Sequence, residues 1–323
     1  MWGAILGDII GSPYEGHRHV NGKDFPLFID DSYITDDSVM TIAIAEALLV
    51  TGPDADEEVV KRACIASMQK WGREYPHAGY GGMFKAWLMS DDPHPYGSFG
   101  NGSAMRVSPA GWLYDTLDRT LEVAAWTAEV THDHPEAIKG AQAVAAAIFL
   151  ARNGYPKDAI RLSLCTNFDY DLSFTTEELR GHYSFDVTCQ GSVPESFVAF
   201  YDADSFEDAI RNAVSLNGDT DTMGAIAGSI AEAFYDVPDF MIARAMQNLS
   251  PEMLDIIHEM NETVNANFRR LHGEPKRREE LMEEVEHYMD LFRDYGIDYP
   301  EGYPDTSEEE LERWVMTWSE FKG

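Results

Sequence analysis

The stretch NGDTDT, residues 217–222, runs directly into the apolar, small-residue segment MGAIAGSIA, residues 223–231. This composition predicts a buried helix that lies close to its neighbours. Asp219 and Asp221 then lie at or just before the N-terminus of that helix, where their side chains cannot disperse into solvent. Two confined carboxylates repel each other, so either one takes a proton or a cation lies between them. Turn and capping chemistry is the alternative, because Asp and Thr are favoured at helix starts.

A second stretch, ITDDS at residues 34–38, repeats this pattern and is followed at once by an apolar run over 39–50. Helix capping and the helix dipole explain one acid at such a position, but they explain two adjacent acids less well. Two such sites in one chain are harder still to explain as caps. Four aspartates at two helix starts, with Thr35 and Thr222 as neutral oxygen ligands, suit a hard divalent ion such as Mg²⁺ or Mn²⁺.

Other candidate residues lie in loops. Glu15 and His17 follow an apolar, glycine-punctuated segment that contains one acid, Asp8, and they are candidates for acid–base chemistry. A surface loop acid is the commoner interpretation of a residue such as Glu15. The glycine-rich stretch 96–106 would let backbone N–H groups approach a ligand, although it lacks the Walker and dinucleotide spacings.

Two histidines follow a predicted helix at residues 121–130. The spacing of His132 and His134 would allow metal ligation. We favour a helix-end, ligand-lining role for His132, because the oxygen-rich aspartate clusters already define a hard-metal site.

Composition excludes several classes of protein. The net charge of −33 argues against non-specific binding to nucleic acid or to a membrane surface. No apolar run approaches the roughly 20 residues that span a bilayer, and the N-terminal residues do not resemble a signal peptide. The chain has 3 cysteines without metal or redox spacing, which indicates reduced thiols in a cytoplasmic protein. We expect a monomer.

Clear strand signals are scarce, so the predicted fold class is all-α. The pattern predicts helices over 54–71, 140–152, 195–201 and 205–216, and a long glycine- and aromatic-rich loop over 73–92. Beyond residue 273 the composition becomes strongly acidic. The expected layout is one compact domain, residues 1–272, with an acidic helical extension, residues 273–323.

Taken together, these motifs resemble the ADP-ribosylglycohydrolase family over about residues 1–270. The resemblance rests on GAILGD (3–8), SPYE (12–15), TDDS (35–38), SFGNGSAMR (98–106), TH (131–132) and GDTDT (218–222), which come in the family's order. It implies a compact all-α fold with two Mg²⁺ or Mn²⁺ ions. It also implies hydrolysis of the bond between C1″ of ADP-ribose and an acceptor, so that the substrate is an ADP-ribosylated protein or another ADP-ribose conjugate.

The resemblance also implies roles for individual residues. Glu15 takes the place of the acid in the flap over the site, and Asp36 and Asp219 count as catalytic as well as metal-binding. Asn217 stands where relatives often carry glycine, and Ser38 replaces a commoner threonine. The implied metal ligands are Thr35, Asp36, Asp37, Asp219, Asp221 and Thr222, and the implied ADP-ribose-binding residues are Ser98, Phe99, Gly100, Asn101, Gly102 and His132.

Alternative functions remain open at this point. An inactive ADP-ribose-binding module of the same fold is disfavoured by the intact Glu15 and aspartates. A two-metal phosphoesterase would need no acid at Glu15, and it would release phosphate or nucleotide rather than whole ADP-ribose. A structural protein is least consistent with so many polar groups beside buried helices. The acceptor could be arginine, serine, a nucleic-acid end or an O-acyl group.

Overall fold

The computed structural model describes residues 1–16, 18–272, 281–283, 285–287, 307, 311 and 315. The chain divides into two compact units, Met1–Val264 and Asn265–Gly323, and the site described below lies in the first. The predicted extension 273–323 falls largely outside the described residues, so the boundary at residue 272 stays a prediction. Among the described residues, no helix combines the length and the apolarity that crossing a bilayer requires.

The regular structure of the described residues is helical, which confirms the predicted all-α class. No β-strand occurs in these residues; Gly100 and Thr188 form an isolated bridge. Two short 3₁₀ helices cover Ser12–Tyr14 and Met246–Asn248. The α-helices are α1 Trp2–Gly11, α2 Asp36–Thr51, α3 Glu57–Glu74, α4 Gly82–Leu88, α5 Gly102–Met105, α6 Ser108–Leu113, α7 Leu117–Glu129, α8 Pro135–Arg152, α9 Lys157–Phe168, α10 Thr176–Leu179, α11 Cys189–Tyr201, α12 Phe206–Val214, α13 Thr220–Phe234, α14 Asp239–Ala245 and α15 Pro251–His272.

Several predicted helix bounds were wrong, and local capping explains the differences. The helix predicted over 54–71 is α3, which begins later because Asp56 accepts a hydrogen bond from the Val59 N–H and so ends the preceding loop. The helix predicted from 195 is α11, which begins at Cys189 because the Thr188 hydroxyl accepts the Gly191 N–H. The segment 73–92 is not one continuous loop, since α4 lies inside it.

Helix α13 lies at the centre of the first unit. Its residues 220–231 are all buried, and it packs against α1, α8, α11 and α12. A helix that is covered on every side needs small or apolar residues around its whole circumference. The segment after the aspartates has that composition, which confirms the predicted buried helix.

Glycines let α1 and α13 approach each other at backbone distance. Gly3, Gly7 and Gly11 recur every fourth residue along one face of α1, and a Cβ atom built on Gly7 would lie 2.0 Å from the carbonyl oxygen of Gly224. At the other end of the contact, Glu232 accepts the backbone N–H groups of Trp2 and Gly3. This close crossing holds Asp8 of α1 near Asp221 of α13.

We expect Gly7→Ala to destabilise the protein by about 3 kcal/mol or more, because the added methyl group meets backbone atoms, which cannot move aside as a side chain can. Urea denaturation monitored by circular dichroism measures the change. Gly82→Ala is the matched control, since a Cβ there meets nothing within 4 Å. Equal stability of the two variants would contradict the close α1–α13 contact.

Candidate active site

The starts of α2 and α13, the middle of α1 and the loop after Tyr14 bring acidic side chains into one cluster. Carboxylate oxygens of Asp8, Asp37 and Asp221 lie within 4.8 Å of one another, and the same holds for Glu15, Asp219 and Asp221. Asp221 therefore belongs to both groups. The Thr222 hydroxyl donates to the Asp37 carboxylate across 185 residues of chain. The two aspartate stretches therefore lie next to each other, as the sequence predicted.

Asp8 is a site residue that the sequence analysis did not assign. It is completely buried, and its carboxylate accepts hydrogen bonds from the Thr35 N–H at 2.9 Å, the Thr35 hydroxyl at 2.8 Å and the Ser38 N–H at 3.0 Å. The Ser38 hydroxyl also donates to it. Asp8 thus holds the N-terminus of α2 in place from α1. The available signal was an acid in the middle of an apolar helix.

Capping explains the acids of α2 only in part. Thr35 is the N-cap and accepts the Asp37 N–H at 3.3 Å. The Thr222 hydroxyl donates to Oδ2 of Asp37 at 3.3 Å. The Thr35 hydroxyl oxygen lies 3.2 Å from the same atom, but its proton is directed to Asp8 at the shorter distance of 2.8 Å. Oδ1 of Asp37 is buried and has no hydrogen-bond partner among the residues that the structure describes. A buried carboxylate oxygen that is left open in this way is available to a cation.

At α13 the capping interpretation fails. Asp219 is the N-cap residue but makes no side-chain capping bond; its Oδ2 instead accepts a hydrogen bond from the Asn101 side chain at 2.8 Å. Just before it, Asn217 has φ 57°, a conformation that favours glycine and that asparagine tolerates. The Asn217 amide also accepts the Val20 N–H and donates to the Val20 carbonyl, so asparagine here joins the 18–20 loop to the site.

In the absence of a cation, the carboxylates of this cluster repel one another, and their pKa values are raised. Burial, and then the charge of Asp221, raise the pKa of both Asp8 and Glu15 to about 7. The same two causes raise the pKa of Asp36, Asp37 and Asp219 well above the usual range. Within the described part of the chain, none of these carboxylates forms a salt bridge with Lys or Arg. An all-oxygen donor set with excess negative charge fits a hard metal ion.

These pKa shifts predict how stability depends on pH without metal. Protonation of Asp8 and Glu15 favours the folded state, because the folded pKa of about 7 exceeds the reference values of 3.8 and 4.5. This stabilisation is complete below the unfolded pKa and is lost as the pH rises through about 7. We expect the free energy of unfolding in EDTA to decrease between about pH 4 and pH 7. With Mg²⁺ or Mn²⁺ present, this decrease should be smaller. An identical slope with and without these ions would contradict this.

The acidic cluster forms one end of a cavity of about 560 Å³. Every predicted site residue lines it except Phe99, which is 45% exposed and whose ring lies 5.4 Å from His134. The roles of all these residues stay predictions, and Phe99 does not line the cavity. The cavity is also lined by residues that the sequence analysis did not assign, including Tyr33, His77, Met83, Phe84, Tyr96, Arg106 and Val187.

The glycine-rich stretch lines this cavity, and two of the backbone donors that its composition suggested are already bonded within the protein. The Gly100 N–H donates to the Ser98 hydroxyl at 3.1 Å, and the Asn101 N–H donates to the Val187 carbonyl at 2.8 Å. The last part of the stretch contains the one-turn helix α5. The Gly100 and Asn101 N–H groups are therefore not available to a ligand, which leaves the side chains and the other backbone groups of the stretch.

The two histidines have different surroundings. His134 is the N-cap of α8 and its Nδ1 accepts the Glu136 N–H at 3.2 Å, so it has a structural role. His132 is buried in the cavity wall beside Gly100 and Gly102. His17 lies outside the described residues.

A second cavity of about 460 Å³ adjoins the first. Glu15 and Tyr33 line both. Glu15 thus stands between the cavity that contains the aspartates and a smaller one lined also by Ser12, Pro13, Gly16, Arg18, Asp31 and Phe185.

The chain belongs to the ADP-ribosylglycohydrolase family, whose model matches residues 1–280. This finding confirms the resemblance and the predicted enzyme class. The chain is 26% identical to the ADP-ribosylhydrolase ARH3 of Homo sapiens, with 72% of this chain and 83% of that protein covered. It is 27% identical to the ADP-ribosyl-[dinitrogen reductase] glycohydrolase of Rhodospirillum rubrum, with 71% and 78% covered.

A solved structure described as an ADP-ribosylglycohydrolase-related protein complex has a similar fold. Its TM-score is 0.59 at 24% identity, and the match covers 81% of this chain and 95% of that one. At this identity the likeness concerns the fold alone.

Proposed function

We propose that this protein is a metal-dependent hydrolase that cleaves the bond between C1″ of ADP-ribose and an acceptor, releasing whole ADP-ribose. The observation that carries the proposal is the position of Glu15. Its carboxylate lies within 4.8 Å of the Asp219 and Asp221 carboxylates, at the junction of two cavities. Family membership supports the same reaction.

The buried carboxylates support a cofactor of two Mg²⁺ or Mn²⁺ ions. Thr35, Asp36, Asp37, Asp219, Asp221 and Thr222 would hold them. When bound, such ions supply Lewis-acid stabilisation of developing charge. Asp8, whose oxygens already accept four hydrogen-bond donors, would orient the ligands of α2 in the way that outer carboxylates orient metal ligands generally.

Glu15 would act first as the general acid and then as the general base. As the bond from C1″ to the acceptor atom breaks, Glu15 donates a proton to that atom; as water bonds to C1″, Glu15 takes a proton back. In the metal-free protein, burial and then the charge of Asp221 raise the pKa of Glu15 to about 7. The side chains of Ser98, Asn101 and His132 line the same cavity and would hold the diphosphate and ribose.

The test is incubation with peptides that carry ADP-ribose on arginine or on serine, in Mg²⁺, Mn²⁺ or EDTA. Mass spectrometry then identifies the product. Whole ADP-ribose, released only with metal, is expected. Release of AMP or phosphate would favour the phosphoesterase, and ADP-ribose binding without any hydrolysis would favour the inactive module.

We further propose that the acceptor lies in the smaller cavity, since Glu15 separates it from the side chains that would bind ADP-ribose. Phe185, which is 50% exposed, is its aromatic wall. Phe185→Ala should lower kcat/KM for a modified peptide by about tenfold, the effect of losing roughly 1.4 kcal/mol of contact, and leave ADP-ribose affinity unchanged. Phe240→Ala, at a 59% exposed phenylalanine elsewhere, is the control. Equal losses in both variants would contradict this placement.

The remaining proposals concern the cellular location, the oligomeric state and the acceptor proteins. The three cysteines are unpaired, which supports a reducing, cytoplasmic location. A monomer remains our expectation. The charge of −33 favours acceptor proteins with basic surfaces.

A further inference from the structure

Arg106 is a buried cation in the wall of the larger cavity. Its side chain is among the largest fully buried ones, and within the described residues it forms no salt bridge. One guanidinium nitrogen, Nη2, donates to the Thr127 carbonyl at 3.1 Å and to the Thr131 hydroxyl at 2.7 Å. A buried guanidinium stays protonated and can only donate, so the Thr131 oxygen must accept.

The Thr131 hydroxyl therefore has its own proton free to donate elsewhere. Two acceptors are in reach: Nδ1 of His132 at 2.7 Å and the Ala128 carbonyl at 3.4 Å. The much shorter distance favours Nδ1. The neighbouring positive charge also polarises the hydroxyl, which makes it a better donor to the imidazole.

The direction of the hydrogen bond between Thr131 and His132 determines which ring nitrogen of His132 carries the proton. If Nδ1 accepts, the proton of the neutral ring is on Nε2. Nε2 lies against the glycine-rich stretch: a Cβ atom built on Gly102 would be 3.2 Å from it, and one on Gly100 3.6 Å. Burial and the charge of Arg106 lower the pKa of His132 well below its usual value, which agrees with a neutral ring.

We propose that Arg106 and Thr131 are positioning residues that hold His132 as the Nε2–H tautomer, so that the cavity contains one fixed hydrogen-bond donor above Gly100 and Gly102. Such an N–H group can bind only ligand atoms that accept a hydrogen bond, such as a phosphate or a hydroxyl oxygen. It also excludes His132 as a general base, because its remaining lone pair is occupied by Thr131.

The first test needs no substrate. Two-bond ¹H–¹⁵N NMR spectra of the imidazole-labelled protein at pH 7 distinguish the two tautomers and the protonated ring, and His132→Gln assigns the signal. We expect the Nε2–H pattern in the wild type and in Thr131→Ser, which keeps the hydroxyl. Thr131→Val should lose the single tautomer. Thr127→Val is the matched control, since that buried hydroxyl donates only to the Ala124 carbonyl.

The second test uses ADP-ribose as the probe, measured by calorimetry. Thr131→Val should weaken binding by about tenfold, the usual effect of losing one well-placed donor, whereas Thr127→Val and Thr131→Ser should bind as the wild type does. A protonated or Nδ1–H ring in the wild type, or unchanged spectra in Thr131→Val, would overturn the proposal. A changed tautomer with unchanged affinity would overturn the ligand-donor role. Failure of the wild type to bind ADP-ribose would count against the proposed function, and the NMR result would still decide the tautomer.

Discussion

Replacing Asp221 with asparagine should lower the rate of ADP-ribose hydrolysis by about 10³-fold and should, at the same time, stabilise the metal-free protein. Asp221 is the carboxylate shared by both acidic groups. Lewis-acid stabilisation contributes several kcal/mol to catalysis, and about 4 kcal/mol corresponds to about 10³-fold in rate. Without metal, the Asp221 charge raises the pKa values of Asp8, Glu15, Asp36, Asp37 and Asp219, so removing it relieves repulsion.

Steady-state kinetics and thermal melts in EDTA, Mg²⁺ and Mn²⁺ measure these two opposite effects. The wild type should gain roughly 2.7 kcal/mol at a metal concentration of 100 times Kd, and the variant should gain much less. Asp54→Asn, at an exposed loop position, is the control for the general loss of one negative charge. If Asp221→Asn melts at a lower temperature in EDTA and keeps its activity, Asp221 is only a structural residue at the start of α13.

Glu15→Gln should reduce kcat by about 10²–10⁴-fold, the range for a general acid–base group, and should change ADP-ribose affinity by less than about threefold. The reason is geometric. Glu15 follows the 3₁₀ helix and lines both cavities, whereas the predicted metal ligands lie at the N-termini of α2 and α13. Glutamine keeps the size of the side chain and removes only its ability to transfer a proton.

Glu195→Gln is a closely matched control for this variant. Burial raises the pKa of Glu195 to about 7, as it does that of Glu15, and Oε2 of Glu195 has no hydrogen-bond partner among the described residues. Glu195 lies on α11 and is not among the residues that line the two cavities. Comparable losses of kcat in the two variants would show that any buried glutamate gives this effect, and they would remove Glu15 from the mechanism.

The features that the sequence predicted are those for which each segment involved carries a signal in its own composition. The all-α class followed from the scarcity of strand patterns, and the burial of α13 followed from its small residues. The meeting of residues 34–38 with 217–222 was predicted because ordinary capping explained too few of the acids. In each case composition and spacing alone contained the physical cause.

The features that the sequence did not reveal depend on contacts between distant segments. Asp8 has no motif of its own; its role arises because Thr35 and Ser38 donate to it from another helix. The Gly100 and Asn101 N–H groups looked available until their acceptors, the Ser98 hydroxyl and the Val187 carbonyl, were located. The connection from Arg106 through Thr131 to His132 likewise needs distances that no spacing rule supplies.

The glycine contact between α1 and α13 has a consequence for the order of folding. The Thr220 hydroxyl bonds the Gly11 carbonyl across 209 residues of chain, and closing a loop of that length costs about 5 kcal/mol of entropy by the logarithmic rule. Contacts of such separation form late. Refolding should therefore restore helical circular dichroism well before it restores metal binding, because α13 must first pack on α1, whose Asp8 holds the start of α2 beside it.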